Sequence, residues 1–256
     1  MTTAAPATDT HPEPRTAIVT GGARGIGAAI TTALAKQGLH VAAGYSSNSK
    51  AAEELAEKLR AEGGSVSIHQ GNVGDPEDCK RVVSEVLEQR GRVDILVNNA
   101  GITVDKTVRK MTVEDWHAVM RVNLSGAFYM TKNVLDHMTG NSFGRIVNIS
   151  SVIGESGAIG QANYAASKSG LFGFSKSLAQ EVARKGVTVN CVAPGYIETE
   201  MVAAIPEKVL DKLIAKVPVG RLGQTREIAR AVQFLVDDDA GYITGSVISV
   251  NGGLDM

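Results

Sequence analysis

Between residue 15 and the C terminus, seven short apolar runs alternate with longer stretches of helical spacing. The runs cover 16–20, 39–44, 66–69, 93–97, 145–150, 187–192 and 246–250. Continuous apolar runs, unlike alternating ones, suit strands buried on both faces, and such strands belong to parallel sheets crossed by helices. The intervening stretches supply those helices. One follows the first strand to about residue 37. One covers 50–61, with Ala51, Leu55 and Leu59 four apart on one face, and one covers 76–90 with Pro76 at its first turn. One or two more occupy 112–137, where Thr112, Glu114 and Asp115 suit a helix start. A long helix covers 163–184, and two lie near 206–216 and 224–236. The pattern predicts one α/β domain over 15–256, a Rossmann fold with a doubly wound, seven-stranded parallel sheet and helices on both faces. Residues 1–14 hold three of the seven prolines and no Lys or Arg, and read as a mobile tail.

Composition narrows the function. Lys+Arg at 26 against Asp+Glu at 27 leaves no excess for a broad basic face, which argues against a nucleic-acid binder. Two distant cysteines, Cys79 and Cys191, make no disulfide framework and suit a reducing cytoplasm. No apolar stretch reaches the roughly 18 residues of a membrane span. The first 14 residues lack the basic and apolar segments of a secretory signal. The histidines His11, His40, His69, His117 and His137 show no ligand spacing, so no metal is expected.

The first strand runs into Thr20-Gly-Gly-Ala-Arg-Gly-Ile-Gly27 and then an Ala/Leu-rich helix. Gly21, Gly25 and Gly27 lack a Cβ, so the turn can be tight and the backbone can approach a pyrophosphate at the positive end of a helix. A nucleotide reader belongs about 20 residues on, at the end of the second strand. There stand Gly44-Tyr-Ser-Ser-Asn-Ser-Lys50, with no carboxylate before Glu53 and Glu54. Hydroxyls such as Ser46, with Arg24 and Lys50, favour a 2′-phosphate, so the cofactor is read as NADP(H).

Tyr164 and Lys168 are four apart near the start of the long helix and share a face. Ser151 follows the fifth strand, at a carboxyl end where ligands bind in such sheets. Asn98-Asn-Ala-Gly101 follows the fourth strand at the same edge, and Asn123 lies in the helical stretch between.

These motifs, with Pro194-Gly195 and Thr199 after the sixth strand, resemble the short-chain dehydrogenases/reductases in kind and order over essentially all of 15–256. Asn72-Val73 stands where that family often has Asp-Val beside the adenine. The resemblance implies cofactor contacts at Gly21, Arg24, Gly25, Ile26, Gly27, Ser46, Asn72, Val73, Asn99, Ala100, Gly101, Tyr164, Lys168, Pro194, Gly195, Ile197 and Thr199. It implies a catalytic set of Asn123, Ser151, Tyr164 and Lys168. Lys168 would also hold the nicotinamide ribose, Asn123 a proton-relay water, and Thr199 the carboxamide.

The residues themselves support that chemistry. A free tyrosine near pKa 10 gives up its proton too reluctantly at pH 7. A Lys168 ammonium beside it is expected to lower that value. Tyr164 can then protonate a carbonyl oxygen as hydride arrives, with Ser151 donating a hydrogen bond to the same oxygen. Within the family the chain most resembles reductases of 3-oxoacyl thioesters, carried on CoA or on acyl-carrier protein, the chemistry of polyhydroxyalkanoate and fatty acid synthesis. The stretches concerned are Asn98–Asp105, Arg109–Thr112, Gly160–Tyr164, Pro194–Ile197 and Asn251–Met256. Gln161 and Tyr196 are candidate substrate contacts beside Ser151. Residues 196–216 are a candidate lid, and Arg109, Lys110, Arg184 and Lys185 a candidate basic rim.

Other readings stay open: a sugar, polyol or steroid reductase, a nucleotide-sugar epimerase, or a catalytically inactive NADP-binding regulator. Trp116 reads as helix packing and Cys191 as core. Gly170-Leu-Phe-Gly-Phe174 gives the long helix more apolar surface than one sheet-facing stripe needs, which suggests contact with another subunit, as does the apolar C-terminal stretch 246–256. The resemblance points to a homotetramer.

Overall fold

A computed structural model of the protein describes residues 14–203 and 207–256. The tail read over 1–14 and residue 206, where one helix is expected to start, lie essentially outside the described residues.

Seven strands form one parallel sheet: β1 (Thr16–Val19), β2 (His40–Tyr45), β3 (Ser65–Gln70), β4 (Ile95–Asn98), β5 (Gly144–Ile149), β6 (Val187–Pro194) and β7 (Val247–Val250). Their spatial order is β3-β2-β1-β4-β5-β6-β7, every neighbouring pair parallel. The chain winds outward one way from β1 to β3 and the other way from β4 to β7. The loops after β1 and β4 therefore part, and a crevice opens above the carboxyl ends between them.

Successive strand residues face opposite sides, and each face has its own core. Ala17, Val19, Val97 and Val147 meet α1 (Gly25–Lys36), α2 (Ser49–Ala61) and α10 (Thr225–Val236) through Ile30, Leu34, Leu59, Ile228, Val232 and Leu235. Ile18, Leu96, Ile146 and Val189 meet α3 (Pro76–Arg90), α5 (Gly126–Gly140) and α7 (Ala162–Val182) through Val83, Val86, Met130, Val134, Met138 and Leu178. Both faces are covered, as the continuous apolar runs require.

Local chemistry explains the boundaries. Asp75 accepts the Glu77 N–H at 2.9 Å, Pro76 follows in the first turn, and Gly91 ends α3 in the left-handed conformation. Thr112 starts α4 (Val113–Met120) with a reciprocal box: the Asp115 N–H donates to Thr112 Oγ1 and the Thr112 N–H to Asp115 Oδ2. The stretch expected to hold one or two helices holds α4 and α5, joined by a π-helical segment at Arg121–Ser125.

Three helices escape the sequence pattern or differ from it. The five-residue α6 (Val152–Ser156) and four-residue α8 (Glu200–Ala203) are too short to show a period. The helix near 206–216 is α9 (Glu207–Ile214).

The long helix is packed by its own chain over part of the apolar surface expected to meet another subunit. Leu171, Leu178 and Val182 are buried, and Phe172 and Phe174 are half-buried against neighbouring core residues. Phe174 meets Phe128 edge-on with ring centroids 6.3 Å apart. The exposed large apolar side chains on this side are instead Val113, Trp116 and Phe128, on α4 and α5. Cys191 is fully buried, as expected of a core residue. Among the described residues no helix is long and apolar enough to cross a membrane.

Candidate active site

The crevice is a cleft of about 790 Å³ running along the carboxyl ends of the strands. Of the residues named from the sequence as catalytic, cofactor or substrate contacts, all line it except Asn123 and Lys50.

At its centre the glycine turn is tied to the end of β4. Thr20 Oγ1 accepts the N–H groups of Asn99 and Ala100, both at 3.0 Å. The Asn99 side-chain amide donates to Thr20 O at 2.9 Å and to Gly21 O at 3.1 Å. Gly21 and Gly25 have φ of +60° and +53°, which side chains resist. Gly27 is glycine for another reason: a Cβ there would overlap the Gly21 carbonyl oxygen. The residue before α1, Arg24, is extended and provides no side-chain cap, and the first turn has no acidic residue. That leaves a positive helix end at a wall where Gly21, Gly25 and Gly27 bring the backbone to the surface, which fits a dinucleotide pyrophosphate. Thr199 reaches over the turn, its Cγ2 3.8 Å from where a Gly25 Cβ would stand. Its segment, Pro194 to Thr199, is pinned by Gly195 N–H to Val250 O at 3.0 Å and by Gly223 N–H to Tyr196 O at 2.9 Å.

One end of the cleft is walled by Tyr45, Ser46, Ser47, Asn48, Asn72 and Val73. No carboxylate stands at the end of β2. Arg24 and Ser46 are exposed to the cleft, but Lys50 is not on its wall and lies 3.9 Å from Glu54 instead. Asn72 Oδ1 accepts the Gly74 N–H at 3.0 Å, and the Asn72 N–H donates to Asp78 Oδ2 at 2.9 Å. Asp78 also lines this end. Its position in the first turn of α3 was the only sequence signal for it.

At the other end Ser151, Tyr164 and Lys168 converge. Ser151 starts α6, accepting the Ile153 N–H at 3.1 Å, and its hydroxyl stands near enough to the Tyr164 phenol to favour the phenolate. Lys168 is buried, with Nζ 5.7 Å from the centre of the Tyr164 ring and donating to Ile149 O at 2.7 Å. A Cβ at Gly101 would lie 3.4 Å from that Nζ, so the glycine leaves the ammonium its room.

The electrostatics correct the expected pKa of the tyrosine. Burial pushes the Tyr164 phenol up. The nearby Ser151 hydroxyl opposes this, and the Asp105 carboxylate adds to it. Burial also brings Lys168 down to about 8. The ammonium is turned toward a backbone carbonyl, and desolvation dominates both groups.

Asn123 lies behind the cleft in the π-helical segment. Its Oδ1 accepts the Ile102 N–H at 2.8 Å, and its Nδ2 donates to Ile102 O at 3.0 Å and Ser167 Oγ at 3.1 Å. Its side chain clamps the loop after β4 to α7. π-Helical turns frequently mark functional positions.

Near the mouth, Gln161 Nε2 donates to both Asp105 carboxylate oxygens at 3.1 Å, and Tyr196 stands on the cleft wall. Sequence reasoning missed Asp105, although it ends the quoted Asn98–Asp105 stretch. Arg109 and Lys110 are exposed on the loop before α4. Arg184 and Lys185 are not at the mouth. They sit in the turn just before β6, at the amino end of the strands, and the cleft lies at the carboxyl end.

The chain is similar to known proteins over nearly its whole length. The family described as Enoyl-(Acyl carrier protein) reductase matches residues 21–255. The acetoacetyl-CoA reductase of Shinella zoogloeoides is 54% identical over 93% of this chain and 98% of its own. That of Cupriavidus necator is 50% identical over 94% and 98%. The 3-oxoacyl-[acyl-carrier-protein] reductase of Escherichia coli is 47% identical over 95% and 98%.

Proposed function

Since the chain belongs to the short-chain dehydrogenase/reductase family, we propose that it catalyses NADPH-dependent reduction of a 3-oxoacyl thioester to the 3-hydroxyacyl thioester. It is an oxidoreductase of a family that uses nicotinamide cofactors. The observation that carries the reading is the meeting of Ser151, Tyr164 and Lys168 at one end of a cleft whose middle is a bare helix N-terminus. Acetoacetyl-CoA is the substrate of choice, because relatives of that name reach 54% identity and the carrier-protein reductase 47%.

The glycine turn would hold the pyrophosphate through main-chain N–H groups. Ser46 and Arg24 would hold the 2′-phosphate, and Asn72 and Val73 would flank the adenine. Asn99, Ala100, Gly101, Pro194, Gly195, Ile197 and Thr199 would wall the rest. When bound, the cofactor supplies a hydride to the carbonyl carbon. Ser151 donates a hydrogen bond to the carbonyl oxygen as negative charge gathers there. Tyr164, kept protonated by burial, transfers its phenolic proton to that oxygen. The Lys168 ammonium stabilises the phenolate left behind and bonds the ribose. Gln161 and Tyr196 orient the thioester arm, while Asn123 fixes the loop and helix that carry these groups.

The test follows NADPH consumption with acetoacetyl-CoA and with the same acyl group on carrier protein. A higher kcat/KM for the CoA ester is expected. Failure to turn over either would leave another carbonyl or a regulatory role. NADPH is expected to exceed NADH at least about tenfold in kcat/KM, about 1.4 kcal/mol. Ser46→Asp should narrow the gap by repelling the 2′-phosphate, and equal use of NADH by wild type would overturn the assignment.

The assembly proposed is a homotetramer with twofold axes. Its support is the exposed apolar side chains Val113 and Trp116 on α4, Phe128 on α5, and Phe234, Tyr242 and Met256. Light scattering should give a mass near four chains, and a monomer with full activity would rule it out. Two buried free cysteines suit a reducing cytoplasm.

A further inference from the structure

β3 is the edge strand of the sheet, so beyond its pairing with β2 it has a row of backbone groups with no strand to bond. At its carboxyl end, where the cleft begins, side chains of α3 take the place of a strand. Arg81 donates through NH2 to Gln70 O at 2.8 Å, and Asp78 accepts the Asn72 N–H at 2.9 Å. The two are joined to each other, Arg81 NH2 to Asp78 Oδ1 at 2.8 Å.

Arg81 is the hub of a longer array. Its NH1 donates to Glu85 Oε1 at 2.7 Å, and Glu85 Oε2 pairs with His69 Nδ1 at 3.0 Å. His69 is among the residues along the cleft. Asp78, Arg81 and Glu85 stand at i, i+3 and i+7, one face of α3 turned to the strand. From the strand the array reaches the neighbouring β2: Gln70 Nε2 donates to Ser46 O at 3.2 Å, and the Gly71 N–H donates to Tyr45 O at 2.8 Å. One guanidinium thus fixes, through one intermediary each, the backbone of Ser46 and the backbone of Asn72.

We propose that Arg81 is a positioning residue for the 2′-phosphoadenosine half of the cofactor, setting NADPH affinity by holding the ends of β2 and β3 in register. This rests on the cofactor site proposed above. Arg81 and Gln70 are not on the cleft wall, so neither touches the cofactor directly. The array is well solvated, Arg81 47% exposed and Glu85 35%. Exposed ion pairs add little to global stability. Its effect should therefore appear as local order at the strand ends, which a ligand must otherwise impose when it binds.

The experiment measures NADPH dissociation constants by fluorescence titration, with kcat, KM and melting temperature, for wild type, Arg81→Met, Arg81→Lys and Gln70→Leu. Arg81→Met is expected to weaken NADPH binding about fivefold to tenfold by removing preorganisation. KM for NADPH should rise in step, while kcat and melting temperature stay close to wild type. Gln70→Leu, which changes no charge, should weaken binding in the same direction. Arg81→Lys should restore part of the loss, since one ammonium cannot serve three acceptors as a planar fork does.

Wild-type affinity in Arg81→Met would overturn the proposal. So would a loss in Arg81→Met that Gln70→Leu does not share, because the effect would then be the field of the positive charge. A fall in kcat or melting temperature without a change in affinity would make Arg81 a general structural residue and overturn it too. If wild type itself bound no NADPH, the cofactor site would fail, and this inference with it. If wild type bound and the variants matched it, only this inference would fall.

Discussion

Replacing Tyr164 by phenylalanine is expected to lower kcat for acetoacetyl-CoA reduction at least about a hundredfold, the lower range for loss of a general acid. The ring and its packing remain and the phenolic proton is lost. NADPH affinity and melting temperature should therefore stay close to wild type. The pKa directions make the case stronger than the sequence did. A phenol pushed up by burial is fully protonated at neutral pH, so the group is already in the form that reduction consumes. Ser151, beside that phenol on the same cleft wall, marks where a carbonyl oxygen must sit to meet both donors. Lys168→Ala should differ in kind, damaging turnover and cofactor affinity together, since its ammonium is assigned to both. A Tyr164→Phe enzyme with most of its activity would show that the proton comes from elsewhere.

The strands and most helices were legible because their signals are local. Apolar runs gave the sheet, and Pro76 and Thr112 gave helix starts to within a residue or two. The glycine turn was legible because backbone geometry demands glycine wherever a Cβ cannot fit. The pKa of Tyr164 was not legible, because spacing on a helix says that Lys168 shares a face but not that its ammonium bonds Ile149 O. Arg184 and Lys185 failed as a rim for a topological reason. Charges near in type to those at the mouth lie at the far edge of the sheet, which only the winding of the chain reveals. Asp78, Arg81 and Glu85 carry no motif, only the i, i+3, i+7 spacing of a charged helix face. Their partners are the Gln70 carbonyl, the Asn72 N–H and the His69 ring, at the end of a strand that the spatial order of the sheet places at its edge.

Gly27→Ala is the substitution expected to cost most for the fewest atoms. The new methyl would overlap the Gly21 carbonyl oxygen and stand 2.6 Å from Asn99 Nδ2. Neither neighbour can yield alone, because the Asn99 amide is bonded to Thr20 O and Gly21 O. The turn must widen. Overpacking of this kind costs about 1–3 kcal/mol, and each hydrogen bond broken as the turn moves adds about 1 kcal/mol. Against a total stability of about 5–15 kcal/mol, that predicts a melting temperature lower by roughly 10 °C for a domain of this size. NADPH affinity should fall by about a hundredfold or more, since main-chain N–H groups leave the positions in which the helix end presents them. Gly140→Ala supplies the opposite sign. It ends α5 with nothing within 4 Å of the added methyl and no left-handed φ, so it should stabilise by about 0.4–1 kcal/mol and leave affinity alone. Calorimetry and fluorescence titration of both variants separate two claims. Destabilised Gly27→Ala with wild-type affinity would keep the close approach of turn and helix but remove the pyrophosphate from it. Wild-type values for both quantities would dispose of the close approach as well.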